Sequence, residues 1–377
     1  MRSLLLATLL FGSGCTLVTG TNPSDGGTPD DAGGTSKDGG GTGLLPVDCR
    51  SSANLHTDAC TSPTTYDGSK TIGTGPHFVD TLDVVHRGIT DKTRIIATLG
   101  TATGGVVLAV DVTTGNRTVI ASSSVGTGGA LPNLYDIAAG PDGWYALANG
   151  SVWKIDPTTG NHSKAWDTTV GDAHCTFLPS AQILYTSAAG GIAVGTDGSI
   201  YLPITTTYGS DVGTGVIAVK GTTCKLVSHT GYPTSANHGT GPDVIGIKNQ
   251  FALTGTTLTI LDSNQIGTVD LATGNRKVSS NDQTGAGPQI GSDSMSLTTD
   301  GFAWTACSYA GDGAYVKVDL ASGARTGLDP ALFTPLSIGG PWCTAWPHPT
   351  APLLVFEDAN GFAVFDPTTG NSNVISY

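Results

Sequence analysis

The chain has 377 residues, of which 54 are glycine and 12% are charged, and its formal net charge is −13. An acidic chain without a basic stripe argues against nucleic-acid binding, because neutralising phosphates needs clustered lysine and arginine. It also argues against electrostatic docking on an anionic membrane surface. No run of about 18 or more apolar residues occurs, so no helix is predicted to span a bilayer.

The first segment has the pattern of an export signal. One basic residue, Arg2, precedes a short apolar run, and small residues then lead to Cys15. This pattern predicts a signal peptide over residues 1–14. Small residues before a cysteine resemble a bacterial lipoprotein signal, which implies that Cys15 carries a lipid anchor. The segment departs from that family at Gly12, where leucine is usual, and the alternative is ordinary secretion.

Residues 15–43 are predicted to be the lipid attachment site and a disordered linker. The segment is rich in Gly, Thr, Ser, Asp and Pro and has few bulky apolar side chains. Such a composition cannot bury enough surface to offset the entropy of ordering. A flexible spacer between an anchor and a folded body is therefore expected. Residues 44–77 form an N-terminal extension of that body, and residues 78–377 form the body itself.

The cysteines favour an oxidising compartment. Apart from Cys15 there are six, namely Cys49, Cys60, Cys175, Cys224, Cys307 and Cys343. An even number in an exported chain suggests disulfides, although the spacing does not determine their connectivity. Closeness in sequence favours Cys49–Cys60. A shared face of the expected fold favours Cys307–Cys343, and Cys175–Cys224 is then left by elimination.

One motif recurs along the body: an alternating apolar strand, then Asp, Thr or Ser, Gly and usually Asn. It is centred on Asp111, Asp156, Asp270, Asp319 and Asp366, with a degraded copy at Lys220. The spacing is about 50 residues with one longer interval, which is typical of the four-stranded blades of a β-propeller.

A second mark, Asp-Gly, lies upstream of the first in several periods and predicts a hairpin turn, since Gly accepts positive φ. It occurs at Asp142-Gly143, Asp197-Gly198 and Asp300-Gly301. Four short strands fit one period, at Leu134–Ala139, Trp144–Ala148, Ser151–Ile155 and His162–Trp166. No segment has a convincing helical period. We therefore predict an all-β chain with a single β-propeller of about six four-stranded blades.

These repeats resemble those of extracytoplasmic propellers with YVTN or NHL-type repeats. That group shares its fold with streptogramin lyases and gluconolactonase-like proteins. The resemblance covers roughly residues 80–377 and lies in a turn motif, so it implies architecture rather than function. It also implies that function lies on one face, built by the loops entering each inner strand and those joining the second and third strands.

Polar side chains near these loops are the candidates for chemistry. The catalytic candidates are His77, His174 and His238, because streptogramin lyases use a histidine near the channel; the alternative is an ordinary loop histidine. The binding candidates are Asp243, Asp293 and Trp342. The recurrent aspartates are interpreted as turn caps and not as metal ligands. No metal site is predicted, because calcium or magnesium would need several converging ligands.

The sequence thus predicts a binding or interaction module at the bacterial cell envelope, lipid-anchored and facing the periplasm or the exterior. Its partner is a protein or a small molecule, and the chain is expected to be a monomer without cofactor. The alternative is a metal-dependent lyase or lactonase with its site at the propeller channel.

Overall fold

The computed structural model describes residues 74–76 and 88–376. Gaps in this description fall at 92, 102–103, 112–113, 149, 168–173, 176–181, 186–190, 209–210, 232–233, 235–236, 246–248, 263, 291–293, 299–300, 307–314, 328–343, 348–353, 359–360 and 366–371. The predicted signal peptide, Cys15, the linker and most of the N-terminal extension therefore lie outside the described residues.

The described residues form 25 strands in six sheets, which we number as blades in chain order. Blade 1 has β1 (Gly88–Asp91), β2 (Arg94–Thr101), β3 (Gly104–Asp111) and β4 (Arg117–Ala121). Blade 2 has β5 (Leu134–Gly140), β6 (Gly143–Ala148), β7 (Ser151–Ile155) and β8 (His162–Asp167). Blade 3 has β9 (Gln182–Tyr185), β10 (Ala193–Val194), β11 (Ile200–Tyr208), β12 (Asp211–Lys220) and β13 (Thr223–Gly231).

The second half of the chain continues the pattern. Blade 4 has β14 (Asn249–Thr254), β15 (Thr257–Asp262), β16 (Gln265–Asp270) and β17 (Arg276–Ser280). Blade 5 has β18 (Ser294–Leu297), β19 (Phe302–Ala306), β20 (Tyr315–Asp319) and β21 (Arg325–Gly327). Blade 6 has β22 (Thr344–Pro347), β23 (Leu354–Asp358), β24 (Gly361–Phe365) and β25 (Ser372–Ser376). Only the backbone is described for β9 and for blade 6.

The all-β propeller predicted from the repeats is confirmed. Each blade is an antiparallel meander in which consecutive strands pair, and five blades have four strands each. The prediction of four strands is wrong for blade 3, where β9 pairs with Ile204–Thr207 of β11 as a fifth strand. The Thr-rich β11 continues to pair beyond β10, so its later residues hydrogen-bond to β9.

The core lies between adjacent blades, because each sheet packs on the next. In β6 all six residues are buried, as expected for an inner strand covered on both faces. Separate apolar clusters join neighbouring blades, for example Ile96 with Trp144 and Tyr145 with Ile200. Stability is therefore distributed around the ring.

The ring closes by packing. The first strand of each blade contacts the first strand of the next, and β1 contacts both β5 and β22. Every described sheet is built from one continuous stretch of chain, so none of these blades is completed by a strand from the other end. In the part of the chain described here, no helix is long and apolar enough to cross a bilayer.

The recurrent aspartates Asp111, Asp156, Asp270 and Asp319 cap their own turns, as predicted, and Asp366 lies outside the described residues. Asp270 Oδ1 accepts hydrogen bonds from the backbone N–H groups of Thr273 at 2.7 Å and Ala272 at 3.1 Å. The hydrogen bond from the Thr273 hydroxyl, together with these two from backbone N–H groups, lowers the pKa of Asp270. Asp156 and Asp319 make the same kind of contacts and have lowered pKa values for the same reason.

Candidate functional site

The junction of blades 3 and 4 brings together two of the predicted site residues, His238 and Asp243. His229, at the end of β13, exchanges backbone hydrogen bonds with His238, at 3.1 and 3.2 Å, so the entry loop folds back along this strand. The Thr214 hydroxyl donates to Asp243 Oδ1 at 3.3 Å, and the Ile245 N–H donates to the same oxygen at 3.2 Å. The loop entering blade 4 is therefore fixed against the long hairpin of blade 3.

Arg276, the first residue of β17, holds this loop from the blade 4 side. Its Nε donates to the Pro242 carbonyl at 3.0 Å, and its Nη1 donates to the His238 carbonyl at 2.9 Å. Nη1 also lies 2.7 Å from Ser228 Oγ. Burial lowers the pKa of Arg276, and the Asp243 carboxylate opposes that shift. A buried guanidinium surrounded by carbonyl oxygens acts here as a clamp between two blades.

His229 is the most enclosed titratable group of the junction, with 0% of its surface exposed. Its Nε2 lies 3.1 Å from the hydroxyl of Thr206 on β11. Within the described residues Nδ1 makes no hydrogen bond of normal geometry, although Asn237 lies near enough to oppose the pKa shift. Burial, reinforced by the charge of Arg276, lowers the pKa of His229. The neutral imidazole therefore belongs to the packing of the junction and has no access to a substrate.

The clamp recurs at other junctions. Arg325 Nε donates to the Pro288 carbonyl at 2.6 Å, and Arg117 Nε donates to the Pro76 carbonyl at 2.8 Å. In blade 2 the equivalent position is His162, whose Nε2 lies 2.8 Å from the Gly129 carbonyl. We call this contact the inter-blade joint. It consists of the recurrent turn of one blade, the outer strand of the preceding blade and the loop between the two.

Sequence reasoning missed this joint, although its signal is visible. An arginine follows the turn motif at Arg117, Arg276 and Arg325. Upstream of each lies a short Gly-rich segment ending in proline, at 74–76, 240–242 and 286–288. The two marks recur in phase, which is the pattern expected of two segments that touch in every blade.

Blade 3 has the longest strands, nine residues in β11 and ten in β12. In a four-stranded meander the hairpin between the second and third strands lies on the same face as the entry to the first. The contact between Thr214 and Asp243 agrees with this placement. The end of the β11–β12 hairpin therefore rises beside the entry loop of blade 4, and Val212 near its tip is 52% exposed.

The other predicted site residues do not join this cluster. His174 is exposed and lies next to Cys175, which forms a disulfide with Cys224 at a Cα–Cα distance of 5.1 Å. The pair left by elimination is thus the one that the structure joins. The remaining predicted residues lie outside the described part, namely His77, Asp293, Trp342, Cys49, Cys60, Cys307 and Cys343.

The first strands of the blades surround a central cavity of about 770 Å³. Each of these strands pairs on one side only, so its other edge faces inward. Asp136, only 5% exposed, accepts a hydrogen bond from the Ile192 N–H of blade 3 at 3.0 Å. Gln250 in blade 4 accepts one from the Met295 N–H of blade 5. These side chains therefore satisfy edge amides of the neighbouring blades.

A metal centre has no support among the described side chains. No group of three or more His, Cys, Asp or Glu residues in this part of the chain is arranged to hold an ion. His238 and Asp243 both belong to the entry loop of blade 4, and no third described ligand joins them. Chemically, the junction offers hydrogen-bonding groups and a raised hairpin rather than a set of reactive side chains.

Comparison with known proteins finds a distant likeness to solved structures and no match in sequence. No family model matches the chain, and no curated protein matches it in sequence. Among solved structures, it is similar to a calcium-binding protein, regucalcin, from Agrobacterium tumefaciens, with 14% identity and a TM-score of 0.43, covering 81% of this chain and 96% of that one. The extracellular domain of a putative one-component system from B. thetaiotaomicron gives 11% identity and a TM-score of 0.44, covering 74% of this chain.

The second of these matches covers only 32% of the B. thetaiotaomicron chain. A nidogen/laminin complex gives 12% identity and a TM-score of 0.43, with 64% of this chain and 78% of that chain covered. Likeness at this level says nothing about activity. The assignment to the β-propellers rests on the sheet topology and the closed ring described above.

Proposed function

We propose that this chain is an exported β-propeller that binds a partner through the face formed by the entry loops and the β11–β12 hairpin. The observation that carries the proposal is the extension of blade 3 beyond its neighbours. The fifth strand β9 supports the extension, and the Thr214–Asp243 hydrogen bond links it to the next blade. A rigid, raised element on a loop face is a common way for a scaffold to present a binding surface.

The partner we propose is a protein or small molecule outside the cytoplasm. The Cys175–Cys224 disulfide supports export, because disulfides persist in oxidising compartments. The small-residue run before Cys15 supports a lipid anchor. Replacing Cys15→Ser is expected to release the protein from membranes into the aqueous phase. If the Cys15→Ser variant partitions into detergent as the unaltered protein does, the lipid anchor is contradicted. The proposed binding face does not depend on that result.

The binding face is tested by placing a photo-crosslinking residue at Val212 in cells. Thr222, exposed in the turn at the other end of the same blade, is the matched control. We expect crosslinks to a defined partner from Val212 and not from Thr222. The purified partner should then lose at least tenfold in affinity for the Val212→Asp variant, since a buried charge is costly at an interface. Equal crosslinking from both positions would contradict the proposal.

The alternative function, a metal-dependent lyase or lactonase, predicts a retained divalent ion. Elemental analysis of the dialysed protein separates the two readings. One calcium or magnesium per chain would favour the enzyme and direct attention to residues beyond those described, such as His77 and Asp293. No described cluster favours that alternative.

A further inference from the structure

Blade 4 differs from its neighbours at one place in the sheet. In blades 1, 2 and 3 the second-strand residue that pairs with the third strand two positions before the recurrent turn is Ile96, Tyr145 and Tyr201, respectively. Each packs toward the following blade and fills the space between the two sheets. The residue on the same rung of blade 4 is Thr259. A threonine is far smaller than a tyrosine, so the junction of blades 4 and 5 lacks this filling side chain.

The central cavity extends into this junction. On the blade 4 side it is lined by Thr257, Thr259, Thr268, Lys277 and Ser279. On the blade 5 side it is lined by Leu297, Gly301 and Leu320. We call this branch of the cavity the blade 4–5 cleft. The blade 4 wall is rich in hydroxyl groups, whereas the blade 5 wall presents Leu297 and Leu320 together with Ser296 and Thr298.

The hydroxylated wall is a row across the sheet. Thr259 pairs with Thr268, and Thr268 pairs with Lys277, so the three side chains lie side by side on one face of blade 4. Thr259 is only 3% exposed, and within the described residues neither its hydroxyl nor that of Thr268 makes a hydrogen bond. Both residues line the cavity, so their hydroxyls are available to donate to and accept from a polar occupant of the cleft.

The positive charge of Lys277, at the end of this row, favours an anionic occupant of the cleft. Lys277 is exposed and makes no ion pair within the described residues, in a chain with a net charge of −13. An ammonium group at the end of a row of hydroxyls complements a carboxylate attached to a hydroxylated carbon skeleton. The leucine wall complements the C–H face of such a skeleton.

We propose that the blade 4–5 cleft is a binding site for a small polyhydroxylated carboxylate. Its hydroxyl groups exchange hydrogen bonds with Thr259 and Thr268, and its carboxylate pairs with Lys277. Its C–H groups contact Leu297 and Leu320. The site lies between two sheets and along the channel, so it is separate from the loop face proposed to hold a partner.

The test measures binding of D-glucuronate to the full-length protein in detergent by titration calorimetry, with glucose as the uncharged match. We expect D-glucuronate to bind and glucose to bind at least tenfold more weakly. Lys277→Met should reduce D-glucuronate binding to the level of glucose. The control is Lys225→Met, because Lys225 occupies the same rung of the outer strand in blade 3, where Tyr201 fills the junction.

Two further variants separate a site from a general effect on folding. Thr259→Tyr introduces the side chain that blades 2 and 3 already carry, so the fold and melting temperature should be kept while binding is lost. Thr259→Val keeps the volume and removes the hydroxyl, and it should weaken binding at least threefold. Absence of D-glucuronate binding by the unaltered protein, or equal binding by the Lys277→Met and Lys225→Met variants, would overturn the proposal.

Discussion

His229 and His238 hydrogen-bond to each other's backbone, yet their side chains lie in opposite surroundings. His229 has 0% of its surface exposed, whereas His238 is exposed on the entry loop. The sequence marks both as histidines near a Gly-rich segment and cannot separate them. Their difference arises because the loop after β13 folds back on that strand. Burial lowers the pKa of His229, the residue that sequence reasoning did not select.

Acidification is expected to destabilise the protein through His229. Because burial lowers its pKa from the usual 6.5, the unfolded chain binds this proton more readily than the folded one. Stability is therefore lost as the pH falls below about 6.5, by at most about 1.4 kcal/mol per pH unit for one group. The expected result is a melting temperature that decreases from pH 7 to pH 5.

His229→Gln should reduce that pH dependence, and His174→Gln, which alters an exposed histidine, should leave it unchanged. The capping aspartates do not confound the measurement. Their lowered pKa values mean that their contribution is lost only below the usual value of 3.8. The same slope in the His229→Gln variant as in the unaltered protein would show that His229 is not the group responsible.

Among the structural elements, the recurrent turn has two roles. It reverses the chain between the third and fourth strands of a blade, and it contacts the preceding blade. The Asp-to-Gly turn was predicted from the sequence, because Asp caps and Gly at positive φ are local preferences. The sequence did not predict that this turn packs against the outer strand of the preceding blade. Gly274, with φ of 73°, lies so close to β13 that an added Cβ would be 2.3 Å from the Val227 carbonyl oxygen. Only the placement of two blades side by side creates that contact.

Replacing Gly274→Ala is therefore expected to cost more than the positive φ alone. Gly198 has a similar φ of 82°, and an added Cβ there would meet nothing within 4 Å. Gly198→Ala should cost about 1–2 kcal/mol, the price of a left-handed alanine. Gly274→Ala should cost about 1–3 kcal/mol more, because the outer strand of blade 3 must move. Urea unfolding measures the free energy of unfolding of both variants. Equal losses of stability in the two variants would argue against the inter-blade contact at Gly274.

At the scale of the whole molecule, the ring is closed by contacts between first strands, including β1 with β22. All six sheets lie within residues 88–376. We therefore expect a fragment of residues 44–377 to fold alone, with an all-β circular dichroism spectrum and cooperative melting. Strong helical minima would contradict the propeller. A fragment of residues 122–377, which lacks blade 1, should lose cooperative melting because β5 and β22 lose their neighbour.

The period, the strand content and the turns were predictable from the sequence, because Asp caps, Gly turns and alternating apolar residues act over a few neighbouring positions. The sequence located the strands of blade 2 to within one residue, since the last strand was predicted at His162–Trp166 and is observed at His162–Asp167. Tertiary structure alone decided the fifth strand of blade 3, the burial of His229 and the cleft beside Thr259. Each depends on segments that are separated in sequence and meet only when strands and neighbouring blades pack together, and no local pattern encodes such a contact.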